Sequence, residues 1–234
     1  MTPTELERVD ALVERRIGER LPAAYLTHEA WLGEHRFYVD RRVIVPRSFI
    51  AELLPDTIAT FLRTPVRTAL DLCTGSGCLA VLLAHAFDKA KIDGADLSKA
   101  ALAVARRNVD EYRLGRRVKL FHSNLFSSLG VRRYDLIVSN PPYVNAASMR
   151  KLPGEYRAEP RMALAGGDDG LMLVRRILAN AAAHLNAHGV LVCEIGHNRK
   201  ALERAYPRLP FTWLETSAGD EYVFLLEKEH LPRS

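Results

Sequence analysis

The sequence predicts an α/β fold, a doubly wound and mostly parallel sheet with helices on both faces, and two observations carry this. From Arg67 onward, short apolar runs alternate with segments of helical periodicity, the rhythm of repeated strand–helix units. The first of these runs enters its helix through the glycine-rich turn Gly75-Ser76-Gly77, which is how such sheets begin a ligand site at the carboxyl ends of their strands.

In chain order, Thr4 followed by Glu7 reads as a capping box. Leu6, Val9, Leu12, Val13 and Ile17 then recur at helical spacing until Gly18 and Pro22 end the pattern. This is a short amphipathic helix with too little apolar surface to fold alone. Phe37-Tyr38-Val39 faces Val43-Ile44-Val45 across Asp40-Arg41-Arg42, which predicts a hairpin closed by Pro46, and Ser48 starts a helix through about Phe61. Strands follow at Thr68 to Leu72, Lys91 to Asp96, Arg117 to Phe121, Tyr134 to Val138 and Gly189 to Ile195. Helices run from Cys78, from Ser98 to about Tyr112 and over Leu171 to Leu185, and two late apolar runs, Phe211 to Leu214 and Tyr222 to Leu226, close the chain. The one long irregular segment, Asn145 to Gly170, holds Pro153, Gly154, Pro160, Gly166 and Gly167; loops of that length are functional or disordered.

With 234 residues, 48% hydrophobic and 26% charged, the chain has room for one core of good size. No apolar stretch reaches the roughly 18 to 20 residues that cross a bilayer, and the charged stretch Met1 to Arg16 lacks a signal core, so the expected address is cytoplasmic with no membrane partner. Cys73, Cys78 and Cys193 have no metal-ligand spacing and read as small apolar fillers; no metal site is expected. A net charge of +5 and a pI near 9.2 suit an anionic partner such as RNA or a ribosomal particle. Arg106, Arg107, Arg116 and Arg117 read equally as a solvated face.

Glycines in Asp71-Leu72-Cys73-Thr74-Gly75-Ser76-Gly77-Cys78 let backbone approach a ligand and aim N–H groups at it, and Asp96 at the end of the second strand can accept from both hydroxyls of a ribose. Gly75 to Ala80 also fits the dinucleotide pattern GxGxxA, with Asp96 about 20 residues on. A nicotinamide enzyme and a glycine-rich turn without ligand both stay open here. After the fourth strand comes Asn140-Pro141-Pro142-Tyr143, where a doubly wound sheet opens its cleft. Two prolines remove two donors and stiffen the loop, leaving carbonyls beside the Asn140 oxygen as an acceptor array suited to an NH2 group. An amide nitrogen is a poor nucleophile, so holding both its N–H bonds aims its lone pair at an electrophilic carbon, and alignment can contribute about 7 to 11 kcal/mol in favourable cases. Tyr143 would wall out water; the bland reading is a rigid turn after a strand.

The run Asp71 to Gly77, Asp96, and Tyr134 to Tyr143 resembles class I methyltransferases that modify exocyclic or amide NH2 groups. More narrowly, Tyr25-Leu26-Thr27 with Phe37-Tyr38-Val39, Val45-Pro46-Arg47-Ser48, Glu155 to Pro160, Ala163-Leu164 and Gly166 to Leu171 resemble the protein-(glutamine-N5) methyltransferases over roughly Ile17 to Glu227. Val-Pro-Arg-Ser resembles the branch acting on the third large-subunit ribosomal protein, whereas the release-factor branch usually shows Pro-Arg-Pro there.

The resemblance implies a Rossmann-like, seven-stranded sheet with an antiparallel final pair, S-adenosyl-L-methionine as methyl donor and S-adenosyl-L-homocysteine as product. It implies that Asp71, Cys73, Thr74, Gly75, Gly77, Asp96, Leu97, Asn124, Leu125 and Asn140 form the cofactor site. Asn140, Pro141 and Tyr143 would be catalytic, and Phe37, Pro142 and Glu159 would complete the substrate site. Phe37 reads equally as a hairpin core residue, and Glu159 and Arg47 either shape the cleft or form surface salt bridges. Residues 1–33 correspond to a remnant of the family's N-terminal helical substrate-binding domain, and 34–234 to the hairpin and catalytic domain. Asn124 departs from the aspartate usual near the adenine amino group, keeping one acceptor oxygen and losing the charge. A ribosomal protein is the expected partner, direct nucleic-acid binding is secondary, and the oligomeric state is open. The competing readings are release-factor glutamine methylation, adenine-N6 or cytosine-N4 nucleic-acid methylation, which needs the same acceptor array, a nicotinamide oxidoreductase, and a cofactor-binding module without catalysis.

Overall fold

The computed structural model describes residues 2–54 and 56–232. Its elements are α1 (Pro3–Glu19), α2 (Ala23–Thr27), β1 (Glu29–Leu32), β2 (His35–Tyr38), α3 (Ile50–Leu53), β3 (Thr68–Leu72), α4 (Cys78–Ala86), β4 (Lys91–Asp96), α5 (Lys99–Glu111) and β5 (Val118–His122). Then come β6 (Tyr134–Ser139), α6 (Ala146–Met149), α7 (Met172–Ala181), β7 (Leu185–Glu194), α8 (Arg199–Ala205), β8 (Thr212–Thr216) and β9 (Gly219–Glu227).

The seven-stranded sheet has the order β5-β4-β3-β6-β7-β9-β8. It is parallel from β5 to β7, and β9 runs antiparallel to both β7 and β8, as the family resemblance implies. Strand residues alternate between two cores. Ala69, Ile92, Leu136, Val138 and Val190 pack with α4 on one face; Leu70, Leu72, Ile137, Leu191 and Phe224 pack with Val174, Ile177 and Leu178 of α7 on the other. Burial on both faces is why these strands are continuous apolar runs. The order reverses between β3 and β6, so the cleft opens at the ends of those two strands. No described helix is long and apolar enough to cross a membrane.

Several expectations are corrected. The capping box lies two residues earlier: Thr2 accepts from the Glu5 amide at 3.3 Å, Glu5 accepts from the Thr2 amide at 2.6 Å, and Pro3 fills the first turn where a missing N–H costs nothing. The helix runs past Gly18 to Arg20, which leaves it at φ 52°. The hairpin forms between β1 and β2, because Gly33 takes φ +59° and a two-residue turn pairs Leu32 with His35. Val43 to Val45 pair with nothing as a strand. Asp40 turns the chain first, accepting the Arg42 amide at 3.0 Å on its side chain and the Val43 amide at 3.1 Å on its carbonyl. The helix from Ser48 to Phe61 is instead α3 and a 3-10 turn at Ile58–Phe61; Pro55, between them, lies outside the described residues. Leu185 opens β7 rather than ending a helix. The segment from Asn145 to Gly170 is ordered: the Asn145 side chain caps α6, 3-10 turns form at Gly154–Ala158 and Arg161–Ala163, and Val144 bridges Ala165.

Two buried polar side chains hold the β3–α4 turn. Asn108 of α5 accepts the Tyr38 amide at 2.8 Å and donates to the carbonyls of Tyr38 at 3.0 Å and Ser76 at 2.8 Å, tying the hairpin to the glycine turn. Asp71, at the carboxyl side of β3, is fully buried; its Oδ2 accepts from the Thr74 hydroxyl and, at 2.9 Å, from the Ala80 amide. Its Oδ1 has no partner among the described residues. Burial pushes this carboxyl up to about 7, the two hydrogen bonds pull it down in part, and the charge of Asp96 adds to the rise.

Asn108→Ala leaves three backbone groups unpaired. It should lower stability by about 1–3 kcal/mol, read as a lower urea midpoint at unchanged slope. A carboxyl raised on folding binds its proton more tightly in the native state. Its stabilising effect is therefore whole below the unfolded value near 3.8 and is lost as pH climbs toward 7. Asp71→Asn removes that dependence, so urea unfolding of the variant should gain on the native protein between pH 4 and 7; parallel curves would contradict this.

Candidate active site

Two cavities meet at the carboxyl ends of β3 and β6. The larger, about 1150 Å³, is bordered by Arg47, Ser48, Phe49, Tyr156, His197 and all four residues of Asn140-Pro141-Pro142-Tyr143. The smaller, about 110 Å³, is bordered by Cys73, Gly75, Asp96, Leu97, Asn124, Leu125 and again Asn140 and Pro142. The end of β6 thus forms a wall common to both. Among the described residues no hydrogen bond engages the Asn140 carboxamide, which stands at that wall half-buried with its donor and acceptors free.

The loop is fixed from every side but the cavity. Ser139 donates to the Leu72 carbonyl at 2.7 Å, locking the ends of β6 and β3 together. Asn198 donates to the carbonyls of Tyr143 and Ile195, both at 2.9 Å. Leu164 accepts the Val144 amide at 2.9 Å, and Val144 accepts the Gly166 amide at 2.8 Å. Two close approaches require glycine: a Cβ on Gly170 would stand 2.4 Å from the Tyr143 carbonyl oxygen, and one on Gly196 would stand 2.6 Å from the Tyr143 ring. The Tyr143 hydroxyl donates to Glu194 Oε1 at 3.1 Å, and burial beside that carboxylate holds the phenol far above its usual range.

In the smaller cavity, Cys73 and Gly75 take φ of +64° and +55°, swinging the chain off β3 so that the turn faces open space. Asp96 accepts the Gly75 amide at 2.9 Å and the Ser98 amide at 2.8 Å, one on each oxygen, and burial raises its carboxyl despite these bonds. Each oxygen keeps a lone pair for a ligand hydroxyl. Leu97, 49% exposed, offers an apolar surface beside it. Asn124 is exposed, and its Oδ1 accepts from Arg176 at 2.9 Å.

Three expected cofactor residues sit behind the turn rather than on the cavity wall: Asp71 and Thr74 are buried and bonded to each other, and Gly77 starts α4 against Ala105. Phe37 lines neither cavity; it is 1% exposed, in the core against Tyr112. Glu159 and Arg47 make no surface pair. The Glu159 carboxylate is 2% exposed and takes both guanidinium nitrogens, with Arg47 Nη1 at 2.6 Å, while also accepting the Val45 amide at 3.3 Å. That bidentate contact pins residues 45–47 to the far rim of the larger cavity, with the Arg47 guanidinium 4.9 Å from the Tyr156 ring centre.

Sequence reading missed Ser48, Glu194, Gly196 and Asn198. The one available signal was Glu194, a lone charge ending the apolar run Val190 to Ile195. Among the described residues no group of three or more His, Cys, Asp or Glu side chains is arranged to hold a metal ion.

Comparison with known proteins agrees with this architecture. The family model for the methyltransferase small domain matches residues 51–153. A methyltransferase crystal structure from Pyrococcus furiosus superposes over 97% of this chain and 99% of its own, with a TM-score of 0.59 at 18% identity, a likeness of fold alone. The ribosomal protein uL3 glutamine methyltransferase of Neisseria meningitidis serogroup B is 58% identical over 229 residues, covering 97% of this chain and 75% of that protein. The protein of the same name from Bordetella pertussis is 58% identical over 231 residues, covering 98% and 78%. With that identity extending over nearly the whole chain, the chain belongs to the ribosomal protein uL3 glutamine methyltransferase family.

Proposed function

We propose that the protein methylates the side-chain amide nitrogen of a glutamine in ribosomal protein uL3, with S-adenosyl-L-methionine as donor. The observation that carries the reading is the unengaged Asn140 carboxamide on the wall common to the two cavities. The substrate side chain would enter from the larger, and the donor would sit against the residues that border the smaller.

The residues of the smaller cavity fit such a donor. Asp96 offers acceptors to vicinal hydroxyls, Leu97 and Leu125 offer flat apolar contact, and Gly75 leaves room for close approach. When bound, the donor supplies an electrophilic methyl on a sulfonium. Asn140 Oδ1 and the Pro141 carbonyl accept the two N–H bonds of the glutamine amide, and Tyr143 and Pro142 confine it. The nitrogen lone pair would then face the methyl, which the donor would supply while leaving as the neutral thioether S-adenosyl-L-homocysteine, and the proton released by the nitrogen would pass to solvent through the larger cavity. Asp71, Thr74 and Gly77 act by shaping the turn, and Arg47 with Glu159 by holding the rim. The exposed apolar stripe Leu6, Val9, Val13 and Ile17 supports assigning residues 1–33 to substrate contact and 34–234 to catalysis. A ribosomal substrate supports a cytoplasmic location.

Incubation with methyl-labelled donor and ribosomal proteins lacking the modification should label uL3 on one glutamine, identified by mass spectrometry; label confined to nucleic acid would overturn the reading. Asn140→Ala should lower kcat by about 10²–10³-fold, since the lost contact orients the transition state, while cofactor Kd by calorimetry stays near that of the parent. Asp96→Ala should do the reverse, weakening cofactor binding; an unchanged Kd would remove Asp96 from the site.

A further inference from the structure

Glu194 is a buried acid for which the reaction has no direct use. It ends β7, is 0% exposed, and has no ion-pair partner among the described residues. It is nevertheless fully engaged. Oε2 accepts the Ser48 hydroxyl at 2.7 Å and the Phe49 amide at 2.9 Å, and Oε1 accepts the Tyr143 hydroxyl at 3.1 Å. Ser48, Phe49 and Tyr143 all border the larger cavity, so a single buried carboxylate links three residues of its lining.

The surrounding chain is shaped to this contact. Two residues on, Gly196 takes φ +55° and the Tyr143 ring lies where its Cβ would stand. A backbone this close to the ring leaves the hydroxyl little freedom except toward Glu194. A carboxyl group offers two acceptor oxygens and can receive three donors at once, whereas the amide of a glutamine has only one acceptor oxygen. Burying an acid is unfavourable, and an apolar residue would fill the position more cheaply, so its presence points to a geometric task.

We infer that Glu194 is a positioning residue for methyl transfer, holding Tyr143 and through it the Asn140–Tyr143 loop against the Ser48–Phe49 wall, an inference that rests on the function proposed above. Tyr143 stands three residues after Asn140, across the stiff Pro141-Pro142 pair, so displacement of its ring moves the acceptors as a unit. Glu194→Ala should therefore lower kcat by about 10²-fold while KM for the donor stays near the parent value, because a misplacement of about 1 Å has that effect on an aligned reaction. Glu194→Gln keeps an acceptor for Ser48 and Phe49 but turns a donor toward Tyr143, whose hydroxyl must reverse; its loss should be smaller than that of alanine.

The decisive experiment is the double-mutant cycle with Tyr143→Phe, read as kcat on uL3. If Glu194 acts through Tyr143, the double variant should be no slower than the slower single variant. Hydrogen exchange over residues 140–144 reads the same loop without substrate and should quicken in Glu194→Ala and Tyr143→Phe, while β3 and β6 stay protected. A parent protein inactive on uL3 would thus sink the proposed function and leave this arm standing. Multiplying losses in the double variant, a glutamine variant no better than alanine, or unchanged exchange over 140–144 would each overturn the role of Glu194. Should the alanine variant fail to fold, the glutamine variant and Tyr143→Phe still decide it.

Discussion

A loop that presents hydrogen-bond acceptors to a cavity must keep them unsatisfied by the protein itself, and the structure depends on how that is done. Prolines at 141 and 142 remove the donors the loop would otherwise supply, so its own backbone cannot quench its acceptors. The outer side is then held by close backbone packing. Gly170 and Gly196 lie against Tyr143, Asn198 takes its carbonyl, and Ser139 fastens the preceding residue to β3. Rigidity comes from contacts behind the loop, which leaves Asn140 free in front.

The same logic explains the acids at the cleft. Asp71, Asp96 and Glu194 lie at the carboxyl ends of β3, β4 and β7, and burial raises the carboxyl of each. Each is held by backbone amides: Ala80 for Asp71, Gly75 and Ser98 for Asp96, Phe49 for Glu194. These amides lie in turns and at helix starts, where no backbone carbonyl takes them, and a carboxylate satisfies them while fixing the turn. The turns keep their shape because these donors are claimed by acids at the preceding strand end or on a neighbouring element.

This division explains what could be read in advance. Strands β3, β4 and β6 and helices α4 and α5 are legible because local pattern and burial agree: Cys78 to Ala84 is apolar all round and buried, and Ser98 caps α5 by accepting the Ala101 amide at 3.1 Å. The acceptor loop is legible because its chemistry is packed into four consecutive residues. Part of what failed depends on a local side chain, such as Asp40 turning the chain before Val43, and part on partners distant in sequence. Val43 to Val45 has strand composition, but Glu159 takes the Val45 amide from 114 residues away. Asp71 carries the family's motif position, yet its depth behind Cys73 follows from the fold of the turn. Ser48 and Glu194 are 146 residues apart, and no periodicity links a serine before a short helix to an acid ending a strand.

Phe37 shows what the hairpin does instead of supplying a wall. Its ring is buried against Tyr112, the C-cap of α5, and Asn108 within that helix accepts the amide and donates to the carbonyl of Tyr38, so β2 is anchored to α5 by one apolar and one polar contact. Anchored there, the hairpin carries its turn, Leu32 to His35, out to the rim of the larger cavity, where His35 stacks on His85 of α4 with ring centres 4.9 Å apart. The chemistry is set by the sheet, whose strand ends converge on Asn140. The shape of the substrate's entrance is set by a hairpin that contributes no strand to that sheet. The two layers meet through side chains such as Asn108 and Phe37.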